Sequence, residues 1–211
     1  MIGTFRQPEF VMICPDVLHT LPTVRRSEGF AELIKHAFIS DAALVDDIER
    51  DLDVLMTLSD RDRVEEILHR SVNIKAQIVA GDPTEADSRM LLNFGHTLGH
   101  ALEKTTHISH GQAVAVGMVT AARMSQRRGW LTEDDVERLI AILDRAGLPT
   151  RASSSDPRKI MDALSKDKKR RQDVFHVVML KGLGHAVVEP VTGAELNEWV
   201  DDLCQSRGAQ P

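Results

Sequence analysis

Arg89-Met-Leu-Leu-Asn93-Phe-Gly-His96-Thr-Leu-Gly-His100-Ala-Leu-Glu103 is the stretch from which the rest of the chain can be read. At about 100° per residue, a helix through it gathers Arg89, Asn93, His96, His100 and Glu103 within an arc of roughly 80°. Leu91, Phe94, Leu98 and Leu102 cover the opposite side. One face is built to pack, and the other presents a cation, an amide, two imidazoles and a carboxylate in a row. The periodicity predicts one helix from about Glu85 to Glu103. Gly95 and Gly99 lie within it one turn apart. Each costs up to ~1 kcal/mol relative to Ala inside a helix, so the close approach of another backbone or of a ligand is expected there.

A solvated face that happens to carry histidines accounts for one His more easily than for two at i and i+4 joined by Arg and Asn. The pair resembles half of a zinc-protease helix, but Thr97 stands where that motif needs its Glu, which argues against a metalloprotease. More ligand candidates lie on both sides. His110 opens the next predicted helix, after a loop too short to carry it far from His96. Glu32 and Lys35 sit on the side of their helix away from Phe30, Ile34 and Phe38. Two imidazoles and one carboxylate form a known zinc ligand set that keeps a position open for substrate or water.

Composition sets the frame. The 211 residues are 42% hydrophobic, 27% charged and 4% aromatic, enough for a buried core in one large domain or two small ones. With 26 basic and 32 acidic residues the formal charge is −6, which disfavours a general nucleic-acid binder. Cys14 and Cys204 make no metal-type pair and suit a reducing compartment. No apolar run approaches the ~20 residues of a membrane span, and no signal pattern opens the chain. The expectation is a soluble cytoplasmic protein without nucleic-acid or membrane partners.

Along the chain, Phe10-Val-Met-Ile-Cys14 reads as a short β-like run ended by Pro15. After Pro22 the pattern turns helical. Helices are expected over His110–Arg128 and Glu133–Ala146, the second stopped by Gly147-Leu-Pro149. Asp156 is placed to cap a helix from Pro157. Val174–Leu180 and His185–Val188 suggest a hairpin around Lys181-Gly-Leu-Gly184, and a last helix runs from about Gly193 to Leu203. The fold class is mainly α, with many helices and a small β element.

Several blocks together resemble 3-dehydroquinate synthase: Gly29-Phe-Ala-Glu32-Leu-Ile-Lys35, Leu92-Asn93-Phe-Gly-His96-Thr-Leu-Gly-His100-Ala-Leu-Glu103 and His110-Gly-Gln-Ala-Val-Ala-Val-Gly-Met118. Ile2-Gly-Thr-Phe-Arg-Gln-Pro8, Leu18-His-Thr20-Leu-Pro22 and Asp167-Lys168-Lys169 fit the same pattern. The match runs in order over nearly the whole chain. It implies the helical C-terminal domain of the dehydroquinate synthase-like fold, at residues 23–211, preceded at 1–22 by a remnant strand and linker. The family's N-terminal nucleotide-binding domain is absent, and on that ground the chain alone is expected to be inactive.

The resemblance implies Glu32, His96 and His110 as ligands of Zn2+ or Co2+. It implies Lys35, Lys75, Arg89, Asn93, His100 and Lys168 as substrate-site residues, and Val17, Leu18, His19 and Thr20 as a peptide that touches NAD+. The implied reaction, in aromatic amino-acid biosynthesis, converts 3-deoxy-D-arabino-heptulosonate 7-phosphate to 3-dehydroquinate with loss of phosphate. It passes through transient oxidation by NAD, phosphate elimination, re-reduction, ring opening and aldol closure. A homodimer is common for the family. Gln112 departs from the usual Glu after His-Gly, and the loop from Glu103 to His110 is shorter than the family's. Sister sugar phosphate cyclases, such as 2-deoxy-scyllo-inosose or 2-epi-5-epi-valiolone synthase, are the alternative within the class. A non-catalytic helical module with a structural metal is the alternative outside it.

Overall fold

The computed structural model describes residues 9–82, 88–152, 156–166 and 174–204. A 3-10 turn, Pro15–Thr20, precedes three long helices: α1 (Thr23–Ser40), α2 (Ala42–Thr57) and α3 (Arg61–Gly81). A second 3-10 helix, Ser88–Asn93, leads into α4 (His96–Thr105) and α5 (His110–Arg127). Then come α6 (Glu133–Arg145), α7 (Pro157–Lys166), an antiparallel hairpin of β1 (Val174–Gly182) and β2 (His185–Thr192), and α8 (Gly193–Cys204). No helix among the described residues is long and apolar enough to cross a membrane.

Local chemistry sets most of the boundaries. Asp41 caps α2 by accepting the Leu44 N–H at 2.9 Å, and Asp60 caps α3 by accepting the Arg63 N–H at 3.1 Å. Thr132 and Asp135 close a reciprocal capping box at the start of α6, and Gly147 ends the region in the left-handed conformation at φ 73°. Asp156 accepts the Arg158 N–H at the start of α7, as expected.

The central element is α5, buried along nearly its whole length and rich in Gly and Ala. Its one side joins the core made by Phe38, Ile48, Ile67 and Leu139, and its other side joins the core under the hairpin with Phe175, Met179 and Leu196. Ser125 on α5 donates to the Ala121 carbonyl and accepts the Leu180 N–H at 2.9 Å, tying the hairpin to the helix. The Gly184 N–H reaches the Phe38 carbonyl at 2.9 Å and pins the hairpin turn to the end of α1.

Two expectations are corrected. Residues 10–14 are not a strand: they find no ladder partner among the described residues, and Phe10 and Met12 stay 78% and 84% exposed. β propensity without a neighbouring strand leaves the backbone unpaired. The stripe from Arg89 to Glu103 is also not on one helix. Gly95 takes φ 79°, ends the 3-10 helix and starts α4 afresh. The expected start at Glu85, like Lys168, lies outside the described residues.

Backbone contact explains the glycines. A Cβ at Gly95 would fall 2.6 Å from the Val114 carbonyl oxygen, and one at Gly117 would fall 1.9 Å from the Gly95 carbonyl oxygen. A Cβ at Gly29, by contrast, would meet nothing within 4 Å. Gly117→Ala is therefore expected to destabilise by about 1–3 kcal/mol or more through overpacking. Gly29→Ala should stabilise by about 0.5–1 kcal/mol through helix propensity. Thermal unfolding of the two variants checks the opposite signs.

Candidate metal centre

Three helices converge on one carboxylate. Glu32 comes from α1, His96 opens α4 and His110 opens α5. Glycine makes the convergence possible, because a Cβ at Gly111 would fall 2.4 Å from the Glu28 carbonyl oxygen. The start of α5 thus abuts α1 one turn before Glu32. A Cβ at Gly99 would lie 3.3 Å from the backbone of Ala113, so α4 and α5 are equally close there.

The two oxygens of Glu32 have different surroundings. Oε2 accepts a hydrogen bond from Lys35 Nζ at 2.6 Å. Oε1 stands 3.5 Å from His96 Nε2 and 3.6 Å from His110 Nε2, sealed from solvent and without a hydrogen-bond partner. Burial raises the Glu32 carboxyl, but the charge and hydrogen bond of Lys35 outweigh it and hold the group below its ordinary value. It is an anion.

Neither imidazole aims a hydrogen at that anion when neutral. His96 Nδ1 lies 3.2 Å from the Phe94 carbonyl, which can only accept, so Nδ1 carries the proton and Nε2 keeps its lone pair. Burial, and then the charge of Lys35, push His96 down to about 4, so the ring is neutral at pH 7. His110 Nδ1 donates in the same way to Glu103 Oε2 at 3.0 Å, which leaves its Nε2 bare in the neutral ring. The ligand atoms of Glu32, His96 and His110 all lie within 4.8 Å of one another. Two ligands ~2.0–2.1 Å from a tetrahedral ion stand roughly 3.4 Å apart, close to the separations seen. A divalent cation satisfies an arrangement in which a buried carboxylate oxygen otherwise faces two lone pairs.

The remaining candidates fall at several distances from this point. His100 follows His96 on α4, exposed, with ring centroids 5.4 Å from His96 and 6.2 Å from His110. Lys35, expected on a polar face, is 2% exposed. Its ammonium is pushed down by burial and by Lys75, and held up by Glu32. Lys75, exposed on α3, therefore faces the same region. Asn93 ends the 3-10 helix just before the break at Gly95, and the Arg89 backbone N–H is anchored to the Asp82 carboxylate at 3.2 Å. Val17, His19 and Thr20 are exposed on a turn that Leu18 packs against the core and the Asp16–Arg61 ion pair at 2.9 Å ties to α3. A groove of about 530 Å³, lined by Val11, Ile13, Pro15, Leu68 and Val72, also lies on that side, away from the convergence point.

Sequence reasoning left Glu103 without a role, although it stood on the polar stripe. Its partnership with His110 spans a loop and has no signature in spacing. Gln112 has a structural use, since its side-chain oxygen accepts the Ser109 N–H at 3.2 Å and caps α5.

This fold has counterparts among solved structures. A solved 2-epi-5-epi-valiolone synthase from Streptomyces hygroscopicus subsp. jinggangensis 5008, with NAD+ and Zn2+ bound, superimposes with a TM-score of 0.79 at 27% identity, covering 90% of this chain and 54% of that one. A 2-deoxy-scyllo-inosose synthase complexed with carbaglucose-6-phosphate, NAD+ and Co2+ gives 0.71 at 25% identity, covering 86% and 53%. The class is thus that of the sugar phosphate cyclases. The family model for the 3-dehydroquinate synthase C-terminal domain matches residues 29–170, and the chain belongs to the 3-dehydroquinate synthase family. A 3-dehydroquinate synthase of Halorhodospira halophila is 43% identical over 191 residues, 89% of this chain and 54% of that protein. One from Pelobacter propionicus is 39% identical over 199 residues, 93% of this chain and 55% of that protein. The chain spans about half the length of these curated relatives.

His36 lies one turn beyond Glu32, its Nδ1 2.8 Å from Ser71 Oγ. Burial, then Lys35, push it from 6.5 to about 4. The unfolded chain therefore binds a proton that the folded chain refuses between those values. Stability is full above pH 6.5 and falls as pH drops toward about 4. In the metal-free protein, His36→Gln should flatten the slope of thermal stability over that window; an unchanged slope counts against a buried neutral imidazole.

Proposed function

We propose that the chain is the metal- and substrate-binding part of a 3-dehydroquinate synthase, which converts 3-deoxy-D-arabino-heptulosonate 7-phosphate to 3-dehydroquinate and phosphate. Residues 23–211 would form the working unit and 1–22 the connection to an NAD-binding domain like that of the longer relatives. The observation that carries this reading is Glu32 Oε1, buried and bare between two imidazole nitrogens, in a chain of this family. Two cyclases of similar fold are described with NAD+ and with Zn2+ or Co2+, and the donor set here fits either ion.

Glu32, His96 and His110 would hold the metal. When bound, it supplies Lewis acidity at a substrate hydroxyl, and NAD+ supplies the hydride acceptor. The chain's own side chains do the rest. Lys35 fixes the Glu32 carboxylate through Oε2 and keeps it ionised. Lys35, Lys75, Arg89 and Lys168 match the two anionic groups of a carboxylated sugar phosphate, Arg89 with a bidentate fork and the lysines as point charges. Asn93 offers an amide to a ring hydroxyl. His100, exposed beside the ligand pair, can take or return a proton at a substrate oxygen. Val17–Thr20 would border the dinucleotide. The reading also implies a cytoplasmic homodimer.

Two measurements test it. Metal analysis should find one Zn2+ per wild-type chain and loss of it in His96→Ala and in His110→Ala; stoichiometric zinc in both variants would sink the ligand assignment. Joined to the N-terminal half of a related 3-dehydroquinate synthase, with NAD+ and Zn2+, the chain should release phosphate from the heptulosonate phosphate. Turnover of a hexose 6-phosphate instead would point to a sister cyclase, and no turnover by the loaded protein would favour a non-catalytic module.

A further inference from the structure

The two histidines of the candidate centre are aimed by different devices. His96 is largely buried, and its Nδ1–H is held by a backbone carbonyl, that of Phe94, which fixes the ring as firmly as the chain itself. His110 has no such support. It is the first residue of α5, its side chain is 47% exposed, and among the described residues its one hydrogen-bond partner is the Glu103 carboxylate, at 3.0 Å. Glu103 sits in the last helical turn of α4, on the face that also carries His96 and His100. The same helix therefore provides one candidate ligand and the strap that steadies another across the loop.

We propose that Glu103 is a positioning residue for the metal centre. By accepting the His110 Nδ1–H it sets the tautomer that leaves Nε2 bare, and it turns that nitrogen toward Glu32 Oε1 rather than solvent. The proposal rests on the reading of Glu32, His96 and His110 as metal ligands. Without the carboxylate, a half-exposed imidazole at a helix start regains its rotamers and either ring nitrogen can carry the proton. Ordering it again would then be charged against metal binding. A carboxylate behind a ligating imidazole also raises the basicity of the ligand nitrogen, and loss of such a partner typically weakens metal affinity by about 10- to 100-fold. His100, Glu103 and His110 also form a second, overlapping group of potential ligands. In a direct-ligand role Glu103 would contribute its oxygen to the ion itself, whereas as a strap it acts only through His110.

The experiment uses the intact 211-residue chain, stripped of metal. Zn2+ affinity is measured by competition with a chromophoric chelator, and the visible spectrum is recorded with Co2+. Glu103→Ala should weaken Zn2+ binding by about 10- to 100-fold. Glu103→Gln, whose amide oxygen can accept the same N–H, should recover most of the loss and keep the wild-type Co2+ spectrum. In a His110→Ala background, Glu103→Ala should have no additional effect on the residual affinity. Equal thermal unfolding of the metal-free variants shows that the fold is retained. Unchanged affinity in Glu103→Ala, the same loss with and without His110, or a changed Co2+ spectrum in Glu103→Gln overturns the strap. If His110→Ala binds Zn2+ as tightly as wild type, the ligand reading fails and the strap with it; if it binds weakly while Glu103→Ala does not, only the strap fails.

Discussion

A carboxylate oxygen shut away from water and facing two bare nitrogens is an arrangement of three acceptors with no donor among them. Left so, it carries the full desolvation penalty of an anion with only one of its oxygens bonded. A cation at the shared point turns that penalty into the strongest interaction in the region. With both rings neutral, Glu32, His96 and His110 form this arrangement in the folded chain, and much of the architecture serves to hold them there. Three helices must come within backbone contact, which is why glycine stands at 95, 99, 111 and 117, where a Cβ would collide or press against the neighbouring main chain.

Electrostatics and packing reinforce each other. Lys35 is buried with its ammonium ending on Glu32, and that pairing leaves the other carboxylate oxygen to the imidazoles. The same positive charge helps to keep His96 neutral and hence able to ligate. The set is polarised in one direction, with the Lys35 ammonium on one carboxylate oxygen and the imidazoles facing the other.

Much of this was legible in the sequence, for reasons that can be named. Helix starts at Glu133 and Pro157 follow from side-chain caps that act over two or three residues, and the hairpin follows from alternation around Gly182 and Gly184. The family blocks pointed to the three convergent residues. The break at Gly95 was hidden because the apolar spacing continues through it. What forces the left-handed turn is the backbone of α5, distant in sequence. Residues 10–14 carry strand-forming side chains, but propensity supplies no partner. Glu103 was placed on the correct face without a use, since its role depends on how the 103–110 loop closes. Lys35 was assigned to a polar face because spacing cannot show that its head would be buried against a carboxylate.

The account stands on one local geometry, and X-ray absorption at the zinc edge of the Zn2+-loaded chain reads it most directly. It should give two imidazole nitrogens at about 2.0–2.1 Å and a carboxylate oxygen at about 2.0–2.2 Å, a shell that neither His96→Ala nor His110→Ala reproduces under the same loading. A shell made only of oxygen, or one indifferent to both replacements, would contradict it.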